Sequence, residues 1–174
     1  MPGSALSIEV GLWNFRRNTG NEDFKLSYTA VGSYYSSLPP SADNARISFS
    51  VDARGSKSLG EERHNGDEFK YRVEVTNLNS TAALGMAVVV FRVPSCLEIN
   101  YQLLDALLGN GAFDMYEVRN QNTEVVLYWR YIPAGETLRV DLGFIQAFHG
   151  KCNVLPDQAY LYYENDQVIW IEPR

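Results

Sequence analysis

Apolar and polar residues alternate along two segments in the middle of the chain, and this period of two is the strongest constraint on its fold. Every second residue of Arg46–Ala53 and of Phe69–Thr76 is apolar. Because successive side chains of a β-strand point to opposite faces of a sheet, each segment is predicted to be a strand with one buried face. The apolar positions are Ile47, Phe49 and Val51 in the first segment and Phe69, Tyr71, Val73 and Val75 in the second.

Most of the remaining chain has the same strand-like character. Met86–Val93 is almost entirely apolar and β-branched, which is typical of a strand buried on both faces, and Pro94 ends it. The tyrosine-rich segment Gln158–Glu164 is predicted to be the strand that closes the fold, ahead of a hairpin turn at Asn165–Asp166. The other predicted strands are Leu6–Phe15, Phe24–Val31, Phe113–Arg119, Glu124–Tyr131, Leu138–Phe148 and Val168–Ile171.

Leu97–Leu108 has a helical period instead, because its apolar residues recur every three to four positions. A Gly-Asn-Gly stop signal follows it. We predict one short amphipathic helix that lies on the sheet with Gln102 and Asp105 outward, and these are the candidate partner-facing side chains. About eight to ten short strands around one inserted helix predict an all-β fold, an antiparallel β-sandwich of the immunoglobulin-like kind.

A proline-rich break sets the organisation of the N-terminal quarter. Pro39 and Pro40 remove two backbone donors and force an extended path. Residues 1–45 are therefore predicted to be N-terminal strands and a lead-in that pack on the same domain as residues 46–174. The opening Met-Pro-Gly-Ser lacks the basic and apolar regions of a secretory signal and is typical of a cloning remnant, so we expect the chain to be a piece of a larger protein.

The charge balance argues against two classes of partner. A formal net charge of −6 at pH 7 leaves no broad basic field, so binding to nucleic acid or to an anionic membrane is disfavoured. No apolar run approaches the roughly 20 residues that a membrane helix needs. The sequence thus predicts neither nucleic-acid binding nor membrane insertion.

The sequence lacks the motifs that carry catalysis. It has no phosphate-cradling glycine loop, no zinc-protease motif and no serine-hydrolase elbow, and no third residue orients a Cys–His pair. We therefore expect no enzyme activity, no catalytic residue, no metal and no cofactor. Cys96 and Cys152 lack the neighbouring ligands of a zinc site, and they are either joined in a disulfide or present as two thiols.

A glycosylation sequon lies in the polar turn Thr76–Thr81. Its three residues are Asn79, Ser80 and Thr81. Because a modified asparagine has to be on the surface, the turn is a suitable place for it. Asn79 is therefore the candidate glycosylation site.

Several segments, in this order along the chain, resemble the C-terminal receptor-binding domain of the α2-macroglobulin and thioester-containing protein family. They are FKYRVEVTNLNS (Phe69–Ser80), MAVVVFRVPSCLE (Met86–Glu98), VVLYWRYIPAGE in Phe113–Cys152 and AYLYYEND in Gln158–Pro173. The resemblance covers roughly Arg46–Pro173. It implies a macroglobulin-type β-sandwich with one helix on its side, in agreement with the strand pattern.

What the resemblance implies for function is a binding module of a large secreted or cell-surface protein. Such proteins trap proteases or tag surfaces in innate immunity, and the location implied for this chain is extracellular or at the cell surface. In the animal inhibitors, two lysines on the domain's helix engage an endocytic receptor. The segment Leu97–Leu108 contains no lysine, so the chain departs from the family pattern at the receptor site. The reactive Cys-Gly-Glu-Gln motif of the family is also absent from this chain.

Two functions are consistent with these observations. The first is a non-enzymatic C-terminal interaction domain of an α2-macroglobulin-like protease-trapping or thioester opsonin protein. Its protein partner would be a cell-surface receptor or other domains of the parent chain. The alternative is a β-sandwich adhesion or carbohydrate-binding module, which requires exposed, coplanar aromatic side chains. The candidates for such a platform are Tyr34, Tyr35, Trp129 and Trp170.

Overall fold

Nine β-strands and one short helix make up the part of the chain that the computed structural model describes, residues 38–54, 66–148 and 152–173. These residues belong to one unit, Tyr35–Arg174. In chain order the elements are β1 (Ile47–Arg54), β2 (Glu68–Asn77), β3 (Ala87–Arg92), β4 (Leu97–Ile99), α1 (Tyr101–Gly109), β5 (Met115–Arg119), β6 (Glu124–Trp129), β7 (Thr137–Gln146), β8 (Asp157–Leu161) and β9 (Glu164–Ile171).

The strands form two antiparallel sheets. The four-stranded sheet has the order β1-β2-β7-β4, and the five-stranded sheet has the order β5-β6-β3-β8-β9. Every pairing within them is antiparallel. The prediction of an all-β antiparallel sandwich with one inserted helix is confirmed. The N-terminal strands predicted in residues 1–37 lie outside the described residues, and their packing on this domain stays a prediction.

The core lies between the two sheets and is built around three aromatic rings. Tyr71 and Phe144 come from the four-stranded sheet, and Phe91 comes from the five-stranded sheet. The rings of Phe91 and Phe144 stack with centroids 5.0 Å apart, and Tyr71 lies 5.4 Å from Phe91. Such aromatic pairs add about 1 kcal/mol each beyond the area they bury. The alternation in β2 therefore points into the core, as predicted.

Strand β3 is buried on both faces, as its continuous apolar run predicts. Val89 and Phe91 face the core, while Val88 and Val90 lie on the opposite face with Val126 and Tyr128 in a second apolar cluster. Strand β6 is also buried on both faces, since all six of its residues are buried.

The helix begins later than the sequence predicts. Leu97–Ile99 is not helical but forms β4, which pairs with β7. Asn100 then caps the helix, because its side-chain oxygen accepts a hydrogen bond from the backbone N–H of Leu103 at 3.1 Å. The spacing of Leu97 to Tyr101 fits the helical period, but the side chains of Leu97 and Ile99 both enter the core from a strand.

Glycine at position 143 allows the helix to approach the sheet. A Cβ atom there would clash with the terminal methyl of Leu103, and the atoms nearest to it all belong to that side chain. Leu104 is the buried residue of the helix. The helix thus covers the β7 side of the four-stranded sheet, as the amphipathic pattern predicts.

The last hairpin turns earlier than predicted. Strand β8 ends at Leu161, Tyr162 and Tyr163 form the turn, and β9 begins at Glu164. The predicted turn at Asn165–Asp166 is wrong, because those residues belong to β9. The tyrosine run is therefore half strand and half turn, and its last two aromatic side chains leave the sheet.

The sandwich has two ends of different composition. What we call the tyrosine end contains the turn Tyr162–Tyr163, the residues after β2 and after β6, and the starts of β1, β3 and β7. What we call the disulfide end contains Cys96 and Cys152, the end of β3 and the start of β6. Ser41 and Ala42 of the lead-in run along β9, where the Ala42 N–H donates to the Val168 carbonyl at 2.9 Å.

Candidate interaction surfaces

The turn Tyr162–Tyr163 presents two aromatic rings to solvent. The backbone N–H of Tyr162 donates to the carbonyl of Met86 at 2.8 Å, which holds the turn against the start of β3. Yet 51% of Tyr162 and 81% of Tyr163 remain exposed. The two rings lie 5.2 Å apart at an interplanar angle of 82°. An edge-to-face pair of this kind is a stable arrangement in which each ring limits the movement of the other.

Two further apolar side chains are exposed at the same end. Leu78 follows β2 and is 59% exposed, and Tyr131 follows β6 and is 64% exposed. The Leu78 N–H donates to the Arg46 carbonyl at 2.9 Å, and the Arg46 guanidinium pairs with Glu164 beside the tyrosine turn. Aromatic side chains surrounded by polar groups are typical of protein-binding surfaces.

A buried asparagine holds the loops of the tyrosine end together. Asn77 is 1% exposed, and its Nδ2 donates to the carbonyls of Ala82, Ile132 and Pro133 at 2.9 to 3.1 Å. Its Oδ1 accepts from the Asn79 N–H at 2.8 Å. One side chain thus satisfies four backbone groups from two loops, and the positions of Leu78 and Tyr131 depend on it.

The outward helix face carries the two side chains that the sequence singles out. Gln102 and Asp105 are both exposed. Asp105 accepts a hydrogen bond of 2.6 Å from the hydroxyl of Tyr116, and this bond raises the pKa of that phenol. The helix has no basic residue between Tyr101 and Gly109. Its outward face therefore offers one carboxylate, already bonded to a tyrosine, and no cation.

Asn79 lies in a tight turn at the tyrosine end. Its Oδ1 accepts from the N–H of Thr81 at 2.9 Å and from the hydroxyl of Thr81 at 2.8 Å. Asn79 is followed by exposed residues, so the sequon is accessible from one side. A glycan on Asn79 would lie next to Leu78.

Cys96 and Cys152 form a disulfide whose Cα atoms lie 5.2 Å apart. Of the two alternatives that the sequence leaves open, the structure has the bonded one. The bond links the start of β4 to the segment before β8. Neither sulfur is a thiolate in this form, so neither can act as a nucleophile or bind a metal ion. His64 and His149, the histidines that a Cys–His pair would use, lie outside the described residues.

Charged groups are buried at the disulfide end. The Arg92 guanidinium pairs with Glu124, and the backbone N–H of Arg92 donates to the fully buried Asp157 carboxylate at 2.5 Å. Burial lowers the pKa of Arg92, while the nearby Asp157 raises it. The ion pair links β3 to β6, and the bond from the Arg92 backbone to Asp157 links β3 to β8, which gives each buried charge a partner.

An open cleft of about 420 Å³ lies at the disulfide end, between β4 with its flanking residues and the turn that joins β5 to β6. The Tyr101 hydroxyl donates to Asn122 Oδ1 at 3.0 Å and so links the start of the helix to that turn. Nothing in the sequence pattern indicates this cleft, because its walls come from segments about 20 residues apart.

The two tryptophans that the sequence offers for a sugar platform are not exposed as such a platform requires. Trp129, one of the candidates, is only 4% exposed, and its indole N–H donates to the Ala112 carbonyl at 2.7 Å. Trp170 is half-buried, and Tyr34 and Tyr35 lie outside the described residues. The exposed pair Tyr162–Tyr163 is nearly perpendicular instead of coplanar.

Within residues 38–54, 66–148 and 152–173, no group of three or more His, Cys, Asp or Glu side chains is arranged to hold a metal ion. The same residues include no helix of the length and apolar character that crossing a membrane requires.

Neither a protein-family profile nor a curated protein sequence matches the chain. Solved structures do. An Escherichia coli alpha-2-macroglobulin activated by porcine elastase matches 78% of this chain with a TM-score of 0.60 and 17% identity. A Salmonella alpha-2-macroglobulin mutant matches 79% with a TM-score of 0.61 and 19% identity. A native Escherichia coli alpha-2-macroglobulin fragment that extends to the C-terminus matches 78% with a TM-score of 0.55 and 15% identity.

The chain therefore has the fold of a domain found in bacterial alpha-2-macroglobulins, as the sequence resemblance predicts. It corresponds to 13%, 9% and 24% of the lengths of those three chains, so it spans a small part of the proteins it matches.

Proposed function

We propose that this chain is a non-enzymatic interaction domain of an alpha-2-macroglobulin-like, protease-trapping protein, and that its tyrosine end contacts other domains of the parent chain. The observation that carries the proposal is the group of four exposed apolar side chains, Leu78, Tyr131, Tyr162 and Tyr163. Exposed tyrosines on a well-ordered support are suited to protein contacts, because they bury much area and lose little conformational entropy.

Three facts support the parent protein and its location. The fold matches proteins several times longer than this chain, and one of those structures runs to the C-terminus. Two of the matched structures are of alpha-2-macroglobulins activated by elastase or trypsin. The Cys96–Cys152 disulfide is typical of proteins outside the cytoplasm, which favours an extracellular or periplasmic location.

The helix is a weaker candidate for the contact. Its outward face has no cation to pair with an acidic receptor, and Asp105 is already bonded to Tyr116. We therefore assign the partner contact to the tyrosine end and not to the helix.

The test is to obtain the complete gene, produce the remaining polypeptide as a separate chain, and titrate this domain against it by calorimetry. The double variant Tyr162→Ser/Tyr163→Ser is expected to weaken binding at least about tenfold, since central tyrosines are frequent hot spots. The matched control is Leu155→Ser, which removes an equally exposed apolar side chain at the disulfide end. A gene that encodes no further domain, or equal binding by both variants, contradicts the proposal.

A further inference from the structure

The cleft at the disulfide end lies along a sheet edge for which residues 38–54, 66–148 and 152–173 supply no partner strand. Strand β4 pairs with β7 on one side only, at the edge of the four-stranded sheet. The cleft opens on its other side and has a volume of about 420 Å³. An unpaired strand edge is a template for another extended backbone, and most proteins cover or shorten such edges.

The hydrogen-bonding pattern shows which backbone groups of this edge are available. The Asn100 N–H donates to the Gly143 carbonyl at 3.1 Å, and the Ala147 N–H donates to the Cys96 carbonyl at 2.9 Å. In an antiparallel pair the residues that bond to the partner alternate with residues whose groups point away. Leu97 and Ile99 therefore direct their backbone groups away from β7.

Little of this outward edge is used within the domain. The Leu97 N–H donates to the Pro94 carbonyl at 2.9 Å. That leaves the Leu97 carbonyl and the N–H and carbonyl of Ile99, for which the described part of the chain supplies no partner. These groups are one donor and two acceptors, spaced as they are along a β-strand. An extended peptide has backbone donors and acceptors at the same spacing and can pair with them.

The opposite wall of the cleft is a turn in a costly conformation. Asn120, Gln121 and Asn122 have φ values of 51°, 55° and 68°, in the left-handed region, and none of them is glycine. Each such residue costs about 1 kcal/mol, and strain of this kind is concentrated at binding sites. Gln121 and Asn122 of this turn are among the residues that line the cleft.

The charge of the cleft restricts what it can bind. Glu98, which lies on β4 and is exposed, is the charged side chain among the residues that line it. The other polar groups are hydroxyls, amides and backbone atoms, which suit a neutral backbone. A bound segment is therefore expected to carry a lysine or arginine opposite Glu98.

We propose that this cleft binds an extended segment of a partner polypeptide, which adds one short strand to the free edge of β4 and pairs a basic side chain with Glu98. The site lies at the end of the sandwich opposite the tyrosine surface, so it is independent of the function proposed above. With three backbone groups and one exposed ion pair available, the contact is weak and suits a transient interaction.

The probe is a pooled library of capped pentapeptides with lysine fixed at the central position, titrated against the ¹⁵N-labelled chain and followed by NMR. Saturable shifts are expected at the amides of Ile99, Tyr101 and Asn122. A pool with central glutamate is expected to bind about fivefold more weakly, the equivalent of one partly exposed charge pair. A pool member that binds is expected to lose binding when N-methylation blocks its backbone donors.

Charge reversal provides the decisive variant. Glu98→Arg is expected to reverse the preference between the two pools, while Glu68→Arg, the same change at an exposed site on β2, is expected to leave it unchanged. Absence of a saturable shift at Ile99 with either pool overturns the proposal, and so does an equal response to both. Dimerisation through β4, seen as a second species in sedimentation that Glu98→Arg removes, would identify a second copy as the occupant and also overturn it.

Discussion

At the disulfide end, a covalent bond and the buried carboxylate of Asp157 tie the strands together, whereas at the tyrosine end one uncharged side chain, Asn77, has that task. The exposed surface differs in the opposite sense. The tyrosine end presents a group of four large apolar side chains, while the disulfide end has a cleft whose lining includes Glu98, Gln121 and Asn122 beside apolar residues.

The comparison shows two ways to make a binding surface on one sandwich. Apolar side chains on loops provide contact area, and they need a support that keeps the loops in place. A free strand edge provides directional hydrogen bonds instead, and a strained turn defines its other wall. Four changes to the chain, taken from the largest expected effect to the smallest, test this difference.

Removing the disulfide is expected to have the largest effect. The bond closes a loop with a sequence separation of 56 residues, for which chain entropy predicts a loss of about 4 kcal/mol in the free energy of unfolding. The variant Cys96→Ser/Cys152→Ser should unfold at a lower urea concentration, measured by circular dichroism. Reductant should lower the midpoint of the natural chain equally and leave the variant unchanged. A midpoint that does not move would show that the disulfide end is held by its buried charges alone.

Asn77→Ala is expected to destabilise the tyrosine end by about 3 kcal/mol. The substitution removes the side-chain partner of the Ala82 and Pro133 carbonyls and of the Asn79 N–H, and it leaves the Ile132 carbonyl with the Leu84 N–H as its donor. Hydrogen exchange should rise at Leu84 and Ile132, whose backbones pair with each other, and stay low at Val125 in the core of the sheet. Asn44→Ala, at an exposed asparagine, is the control, and an equal effect there would remove Asn77 from its supporting role.

Gln121→Gly is expected to stabilise the chain by about 0.5 to 1 kcal/mol. Glycine adopts a positive φ without the steric cost that glutamine has there, although it gains more entropy in the unfolded chain. The control is Asn44→Gly, because Asn44 is not among the described residues with positive φ. Glycine at that position should lower the free energy of unfolding. If Gln121→Gly is destabilising in urea unfolding, the turn is not strained and the two ends differ less than we infer.

Acid titration is expected to have the smallest effect, and it acts midway between the two ends. The Arg72 guanidinium donates two hydrogen bonds, of 2.7 and 2.8 Å, to the Asp141 carboxylate, and these bonds lower the pKa of Asp141. A depressed carboxyl pKa stabilises the folded chain above the unfolded-state pKa of about 3.9, and this contribution is lost as pH falls through the lower folded-state pKa. Both side chains are well exposed, so the loss is small. The urea midpoint of the natural chain should fall as the pH is lowered from 5 to 2, and it should fall less steeply in the variant Asp141→Asn. If the two chains show the same fall, the acid sensitivity comes from other carboxylates.

Much of the fold could be predicted from the sequence because its strands are strongly patterned. Strands β1, β2 and β7 are predicted from the alternation of apolar residues, and β3 is predicted from its continuous apolar run. The apolar residues that make these patterns are the ones buried in the core. Boundaries were less predictable. The helix start depends on a cap at Asn100, and the last turn depends on where β8 stops pairing, and neither is a matter of apolar spacing.

The candidate surfaces were predictable only in part. Gln102 and Asp105 are exposed because they are the polar positions of an amphipathic helix, and Asn79 lies in a turn because its segment is rich in polar turn-forming residues. Both patterns are visible in the sequence. The grouping of Leu78 with Tyr131 and Tyr163 is different, since each residue alone looks like an ordinary apolar position after a strand.

The sequence by itself determined the all-β class, the position of one helix and the segments that fill the core, because those follow from the local period of apolar residues. Only the tertiary structure decided which loops meet at each end, that Cys96 faces Cys152, and that β4 is an edge strand among the described residues, beside a strained turn. The physical reason is that antiparallel pairing joins residues distant in sequence, and the register that brings them together comes from the packing of two whole sheets.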